Sequence, residues 1–443
     1  MKSNYFKISA VASSLLIAMS AQAAIPEGAS FKGYAVAGAG FSNSDILNTA
    51  AYDWANNGFN IFRLDGTHYD HSGGRLGNEA NWLEMYMGYG FAETNGMTWG
   101  FKANVVSDGA TLDLDEIYTQ ATGVFKSNPD ATIWVGKRYY GRVSTNINDT
   151  LPLQNDGYGF GIETVDIGFA DLELSVTRNL YDGSSNDDQN AVLGDLTAFQ
   201  SAIKGIHITD GAALDLFANY GAHIGPNSKS DVTKENTDSA YQLATQLRLG
   251  DWNNWNNIFL RYSNNASHSI TATYLIMPEH QIGGFWEGVY NVTDNYRIHY
   301  VWSHETSMFD DEARFRTGAR GYNYGDVDKK HWNALVLRNS YTWNERFTTE
   351  LETGYESAKF KTIDGGSQTN DGYKVTLSQN IHINSGFWDR PVIRFFVTYA
   401  SQDVAKATTT DWNSCDENWV CDGPSKIGKT NATTVGAQFE AWW

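Results

Sequence analysis

Few reactive side chains in this sequence are spaced for making or breaking bonds. There is no GxSxG, no HExxH and no glycine-rich phosphate loop. The adjacent carboxylates Asp310-Asp311 and Asp187-Asp188 fall in loop-like stretches where one of each pair must point away, a poor arrangement for acid/base work. The acidic run Asp113 to Glu116 carries oxygens that suit a hard cation, but a solvated face accounts for it better, so neither a metal nor a cofactor is expected. What the sequence does place together is aromatic rings with charge. In NWLEMYMGYGF, Trp82, Glu84 and Tyr86 share one phase of a two-residue alternation, and Leu83, Met85, Met87, Tyr89 and Phe91 share the other. A tryptophan on the phase of a glutamate does not face lipid.

The same pattern recurs in the strands that must carry these residues. From Thr132, Ile133 and Val135 occupy one phase and Trp134, Arg138, Tyr140 and Arg142 the other. After Arg142 the alternation stops, and Ser144 to Gly161, rich in Asn, Asp and Gly, reads as a long loop of the kind that is usually functional. In FKGYAVAGAGF the apolar phase is Phe31, Gly33, Ala35, Ala37, Ala39 and Phe41, leaving Lys32 and Tyr34 on the opposite side. In NNIFLRYS, Ile258, Leu260 and Tyr262 oppose Trp255, Phe259 and Arg261. RPVIRFFVTYA sends Ile393, Phe395, Val397 and Tyr399 one way and Arg394, Phe396 and Thr398 the other. The last stretch, TTVGAQFEAWW, opposes Val435, Ala437, Phe439, Ala441 and Trp443 to Gln438, Glu440 and Trp442. Such a strand, ending on an aromatic, is expected to close against the first one and leave no edge.

Composition points the same way. Lys2 and Lys7, the apolar run Ile8 to Met19 and Ala21-Gln22-Ala23 read as a secretory signal peptide over residues 1–23, which leaves 24–443 as one large domain. Mean hydropathy is −0.43 and no later segment suits a spanning helix, which excludes a helical membrane protein. Aromatics make up 14% of the chain while there are only 7 prolines, as expected when most backbone amides sit in a ladder. Long polar stretches alternating with short turns are the pattern of an outer-membrane β-barrel. Cys415 and Cys421 lie close together in one polar stretch and are expected to form a small loop disulfide. The net charge of −19 argues against nucleic acid and anionic partners.

These residues also carry a resemblance. RLGNE (Arg75 to Glu79), TIWVGKRYY (Thr132 to Tyr140), Gly161 to Arg178, RPVIRFFVTYA and VGAQFEAWW resemble the corresponding segments of the maltoporins, sugar-specific porins of the outer membrane. The resemblance implies an 18-stranded antiparallel transmembrane barrel with an inward-folded constriction loop from the Thr132 region, a homotrimer in outer-membrane lipid, and passive diffusion of maltodextrins or related oligosaccharides. No enzymatic activity is implied. Maltoporins guide sugars along a file of aromatic rings, because pyranose C–H faces stack on rings while their hydroxyls need polar partners. The resemblance places that file at Tyr34, Trp82, Trp255, Trp343 and Trp442, all aromatic here. Trp343 alone shares parity with Leu335, Leu337 and Tyr341, beside a turn-like Asn344-Glu345-Arg346 where a bulge would reset it.

A polar track is implied at Arg75, Glu84, Arg142 and Asp149. The sequence departs from the family pattern at Val36 and Asp115, which replace arginines, and at Leu151, which replaces a tyrosine at the tip of the constriction loop. Asp115 makes the expected constriction less cationic and acidic sugars a poorer fit. Two alternatives remain open: a general diffusion porin that sieves without binding, and a secreted β-sandwich lectin.

Overall fold

In the computed structural model the residues described are 25–43, 62–67, 73–107, 112–178, 196–222, 239–271, 277–318, 322–408 and 427–443. The expected disulfide at Cys415 and Cys421 and the leader at 1–23 lie outside them.

Alternation along each strand sets which face meets lipid and which meets the lumen. On the strand Val392–Val404, Phe395 is 52% exposed and Arg394 only 4%, so apolar side chains point out of the sheet and polar ones in. That inversion relative to a soluble protein is what a hydrocarbon surround and a polar interior require. Every strand that the sequence reading divided into two phases follows the division: Tyr34, Tyr86, Trp255, Phe259, Arg261, Arg394, Phe396, Gln438 and Glu440 are buried on the inner side.

Among the described residues twenty strands occur in chain order: β1 (Gly28–Ser42), β2 (Trp82–Gly90), β3 (Thr98–Ser107), β4 (Asp113–Thr122), β5 (Thr132–Arg138), β6 (Val143–Thr145), β7 (Thr150–Leu153), β8 (Gly157–Asp166), β9 (Asp171–Arg178), β10 (Thr197–Thr209), β11 (Ala212–Ala222), β12 (Ser239–Gly250), β13 (Trp255–Asn264), β14 (His280–Thr293), β15 (Tyr296–Met308), β16 (Val327–Asn344), β17 (Phe347–Thr362), β18 (Ser367–His382), β19 (Val392–Val404) and β20 (Gly428–Trp442). A helix, α1 (Asp311–Gly318), lies between β15 and β16. Eighteen of the strands form one antiparallel sheet, each paired with its neighbour in sequence except that β5 pairs with β8. β1 pairs with both β2 and β20, which closes the sheet into a barrel. β6 and β7 form a separate small hairpin between β5 and β8.

The hairpin is seated on an apolar patch of the inner wall. Val143 and Leu153 pack with Phe217 of β11, Phe259 of β13, Phe285 of β14 and Trp332 of β16. Burying Leu153 completely contributes about 1.5–3 kcal/mol to holding the hairpin in place. Polar pins add direction. Arg261 donates to the Pro152 carbonyl and, at 2.6 Å, to Glu305. Asn155 is a hub. Its Nδ2 donates to Gln242 (3.0 Å), its Oδ1 accepts from the Ile270 amide (2.7 Å), and its carbonyl accepts from Thr177 and Gln200.

A second inward segment was not anticipated. The connection between β1 and β2 returns along the inner wall of β16 to β19. Gly66, Leu76 and Gly77 give their carbonyls to Lys330, Lys374 and Thr398, and the Leu76 amide donates to Glu352 at 3.0 Å. The approach is so close that a Cβ on Gly354 of β17 would sit 2.1 Å from the Gly73 carbonyl oxygen. The two segments meet inside the barrel, where the Arg75 amide donates to the Ile147 carbonyl at 3.0 Å.

Candidate functional site

The strand register brings the lumen-facing aromatics of β20, β1 and β2 into contact range. Tyr34 lies directly opposite Trp442 on one side and Glu84 on the other, and Val36 lies opposite Glu440 and Trp82. Two adjacent rows thus run across three strands, Trp442–Tyr34–Glu84 and Glu440–Val36–Trp82. The Trp82 indole donates to Glu84 at 2.8 Å, and the Tyr86 hydroxyl also binds Glu84. Trp442 lies beneath the Arg390 guanidinium, 4.3 Å from its ring centre.

Charged groups hold these rings. Arg75 donates to the Tyr34 hydroxyl at 2.7 Å and to Glu79 at 2.6 Å. Burial opposes the Arg75 charge, but Glu79, Tyr34, Asp149 and Glu440 around it outweigh burial and hold the guanidinium well above its ordinary pKa. Glu440 accepts from Arg390 (2.6 Å) and Arg394 (2.7 Å). Arg142 forms a bidentate pair with Asp156 and lies 3.5 Å over the Tyr139 ring. The carboxylate more than offsets the burial of Arg142 and raises its pKa as well. The Tyr139 hydroxyl binds Asp115. Burial pushes that hydroxyl well above its usual range, Arg142 works against the shift, and Asp115 and Glu84 add to it, so all four groups share one neighbourhood.

Trp255 is 4% exposed and stands across the lumen from this patch, 6.0 Å from the His299 ring. His299 in turn lies 5.1 Å from Phe387, which makes an edge-on contact with Trp388 at 4.4 Å. Both belong to the connection between β18 and β19, which folds into the barrel mouth. Phe387, Trp388, His299, Arg390 and Trp442 line one pocket together with Arg75 and Asn146. Sequence reading missed Phe387 and Trp388. The adjacent aromatic pair in SGFWDRP was the available signal, but a turn has no phase by which to orient it.

Trp343 and Leu151 stand elsewhere than expected, while Asp115 stands where the constriction loop begins. Trp343 is 63% exposed on the outer face, 4.7 Å from Tyr341, with its indole donating to Thr349 at 2.8 Å. The register does shift between Thr342 and Asn344, but too late to turn Trp343 inward. Asp115 lies not along the aromatic rows but beside the root of the constriction loop, where a register shift in β4 turns it toward Tyr139 and Lys137, the latter 3.8 Å away. The tip of the inner hairpin is the turn at 146–149, held on the far wall because Glu287 accepts from the Asn146 and Ile147 amides at 2.6 and 3.0 Å. Leu151 lies past that turn, half-buried on β7.

A protein family described as LamB porin matches this chain over residues 29–443. Among solved structures the chain is similar to the outer membrane channel DcaP of Acinetobacter baumannii, with 13% identity, a TM-score of 0.42, and 94% of this chain and 98% of that one covered. It is similar to OccK3 (OpdO) of Pseudomonas aeruginosa at 11% identity and a TM-score of 0.46, covering 94% and 96%. The anion-selective porin from Comamonas acidovorans matches at 11% identity and a TM-score of 0.44, covering 93% and 100%.

Proposed function

The chain belongs to the LamB porin family and is an outer-membrane β-barrel porin, and from that premise we propose that it is a sugar-specific one, passing oligosaccharides by facilitated diffusion along an aromatic path in its lumen. The observation that carries the reading is the pair of rows on β20, β1 and β2, in which Trp442, Tyr34 and Trp82 alternate with Glu84 and Glu440, with Arg75 on the Tyr34 hydroxyl and Arg390 and Arg394 on Glu440. Rings offer a stacking surface to the C–H faces of a pyranose, and the flanking donors and acceptors replace water at its hydroxyls. Each contact is modest, as a conduit requires if its cargo is to leave. Trp255 and Trp388 extend the path toward the short-turn end, and Trp388 takes the role first expected of Trp343. Arg75, Arg142 and Asp149 flank the narrow point. The same reading takes residues 24–443 as the barrel after export and three barrels as the assembly.

Single-channel conductance in a planar bilayer tests it. Ionic current should fall saturably as maltooligosaccharides, sucrose or cellobiose are titrated in. Trp442→Ala should raise the half-blocking concentration by a few-fold to about tenfold, the range expected for losing one stacking ring. Current that ignores every sugar and follows ion valence alone would leave a general diffusion porin.

A further inference from the structure

We infer that the pocket between the constriction and the barrel mouth recognises a saccharide that carries an anionic group, and that Arg297 is the residue that reads it. The inference rests on the aromatic sugar path proposed above.

Charge comes first. The pocket is lined by five arginines, Arg75, Arg297, Arg338, Arg390 and Arg394, and by three carboxylates, Glu79, Glu350 and Glu440. Five minus three is a formal +2, within a chain whose net charge is −19. Just outside that lining, Lys374 pairs with Glu352, while Glu287 bound to His299 and Asp389 next to Arg390 bring two more carboxylates, so the excess of positive charge belongs to the lining itself.

The second observation is which arginine is left over. Arg75 is paired with Glu79, Arg390 and Arg394 with Glu440, and Arg338 with Glu352 at 2.6 Å. Among the described residues Arg297 makes no hydrogen bond and no ion pair. Its Nε is buried without a partner, and its guanidinium lies 5.1 Å from the Phe387 ring centre. Glu350 and Asp389 are near enough to be felt, but neither bonds to it. Glu350 is instead taken by Ser340 and Asn380.

Two further pocket side chains each have a polar atom without a partner among the described residues. The Trp388 indole N–H has no acceptor. His382 engages Thr348 through Nε2 at 2.7 Å, and its Nδ1 has no partner. Buried donors without acceptors are costly unless a ligand supplies oxygens. Sugar hydroxyls can serve the indole and the imidazole. An unpaired guanidinium beside an aromatic ring is matched best by a carboxylate, phosphate or sulfate that takes two of its N–H groups at once.

The experiment compares matched sugars in the bilayer assay: trehalose against trehalose 6-phosphate, and galactobiose against digalacturonate, with inorganic phosphate alone as a further arm. In the wild type at least one anionic member should half-block at a concentration about tenfold or more below its neutral partner, and the arm in which this occurs names the group. Arg297→Gln should bring the two members of that pair within about twofold of each other while leaving block by the neutral sugar in place. Arg297→Lys, which keeps the charge but not the fork, should retain part of the preference. An open-channel current within the wild-type range shows that each variant has folded. Equal block by both members of both pairs overturns the inference and leaves the sugar path standing. Preference that survives Arg297→Gln, or phosphate alone blocking as well as the sugar phosphate, overturns it too. Block by no sugar at all overturns the path and the subsite together.

Discussion

Asn155 is one of the polar anchors of the constriction hairpin, and removing its side chain should loosen the channel without opening the barrel. In Asn155→Ala two hydrogen bonds disappear, to Gln242 and from the Ile270 amide. Gln242 keeps a donor in Asn219 at 3.2 Å, so its oxygen stays satisfied. The Ile270 amide, next to the fully buried Ile270 side chain, is left without an acceptor. One net hydrogen bond at about 1 kcal/mol plus an orphaned buried donor at about 1–3 kcal/mol gives about 2–4 kcal/mol of lost docking. That is a factor of about 30 to 1,000 in the equilibrium between the seated and released hairpin. The strand ladder does not pass through Asn155, so the barrel itself should persist. We expect single-channel traces of the variant to show excess current noise, and amide exchange to accelerate at 143–153 and 265–271 while the β10 to β13 amides stay protected. Asn155→Asp keeps the acceptor for Ile270 but sets an oxygen against Gln242, so it should fall between the two. Exchange and noise identical to the wild type in Asn155→Ala would refute the assignment of Asn155 as an anchor.

Two other perturbations probe the electrostatics. Glu440→Gln removes the carboxylate that joins Arg390 and Arg394, and it should cost about 3–5 kcal/mol of stability in a denaturant titration and move the reversal potential in a salt gradient toward anion selectivity. His268, wholly buried, is held well below its ordinary pKa first by burial and then by Arg261 and Lys330. The folded chain therefore refuses a proton that the unfolded chain accepts below about pH 6.5, so stability should decrease as pH falls, by at most about 1.4 kcal/mol per unit from this group. His268→Gln should flatten that part of the profile, measured as the difference between wild-type and variant denaturation midpoints at pH 7.5 and 5.

Alternation made most of the wall legible because it records a physical difference between two solvents. Leu260 and Arg261 are neighbours in sequence, one 54% exposed on the lipid side and one buried in the lumen, the inversion that a barrel in hydrocarbon requires. Parity even placed Trp343 correctly, with Tyr341 on the outside; what misplaced it was transfer by resemblance, because a girdle tryptophan and a lumen tryptophan are the same residue type. The inward run around Arg75 was illegible for a different reason. Its backbone is satisfied by Lys330, Lys374 and Thr398, roughly 250 to 320 positions away, so no local pattern marks it as buried. Phe387 and Trp388 escaped because the connection that carries them has no period.

Net charge does not by itself fix the field inside the lumen, because Coulomb interactions in salt reach only about 8–10 Å. The total of −19 is a sum over the whole chain. What such a ligand meets is the local balance along its path, where Arg390 and Arg394 share the single carboxylate of Glu440, and Arg297 makes no ion pair among the described residues. Low-dielectric barrel walls strengthen that balance further by confining the field to the channel axis. An acidic protein can therefore present a cationic path, and the sign of its selectivity is set by a few pairings among strands that only the barrel brings together.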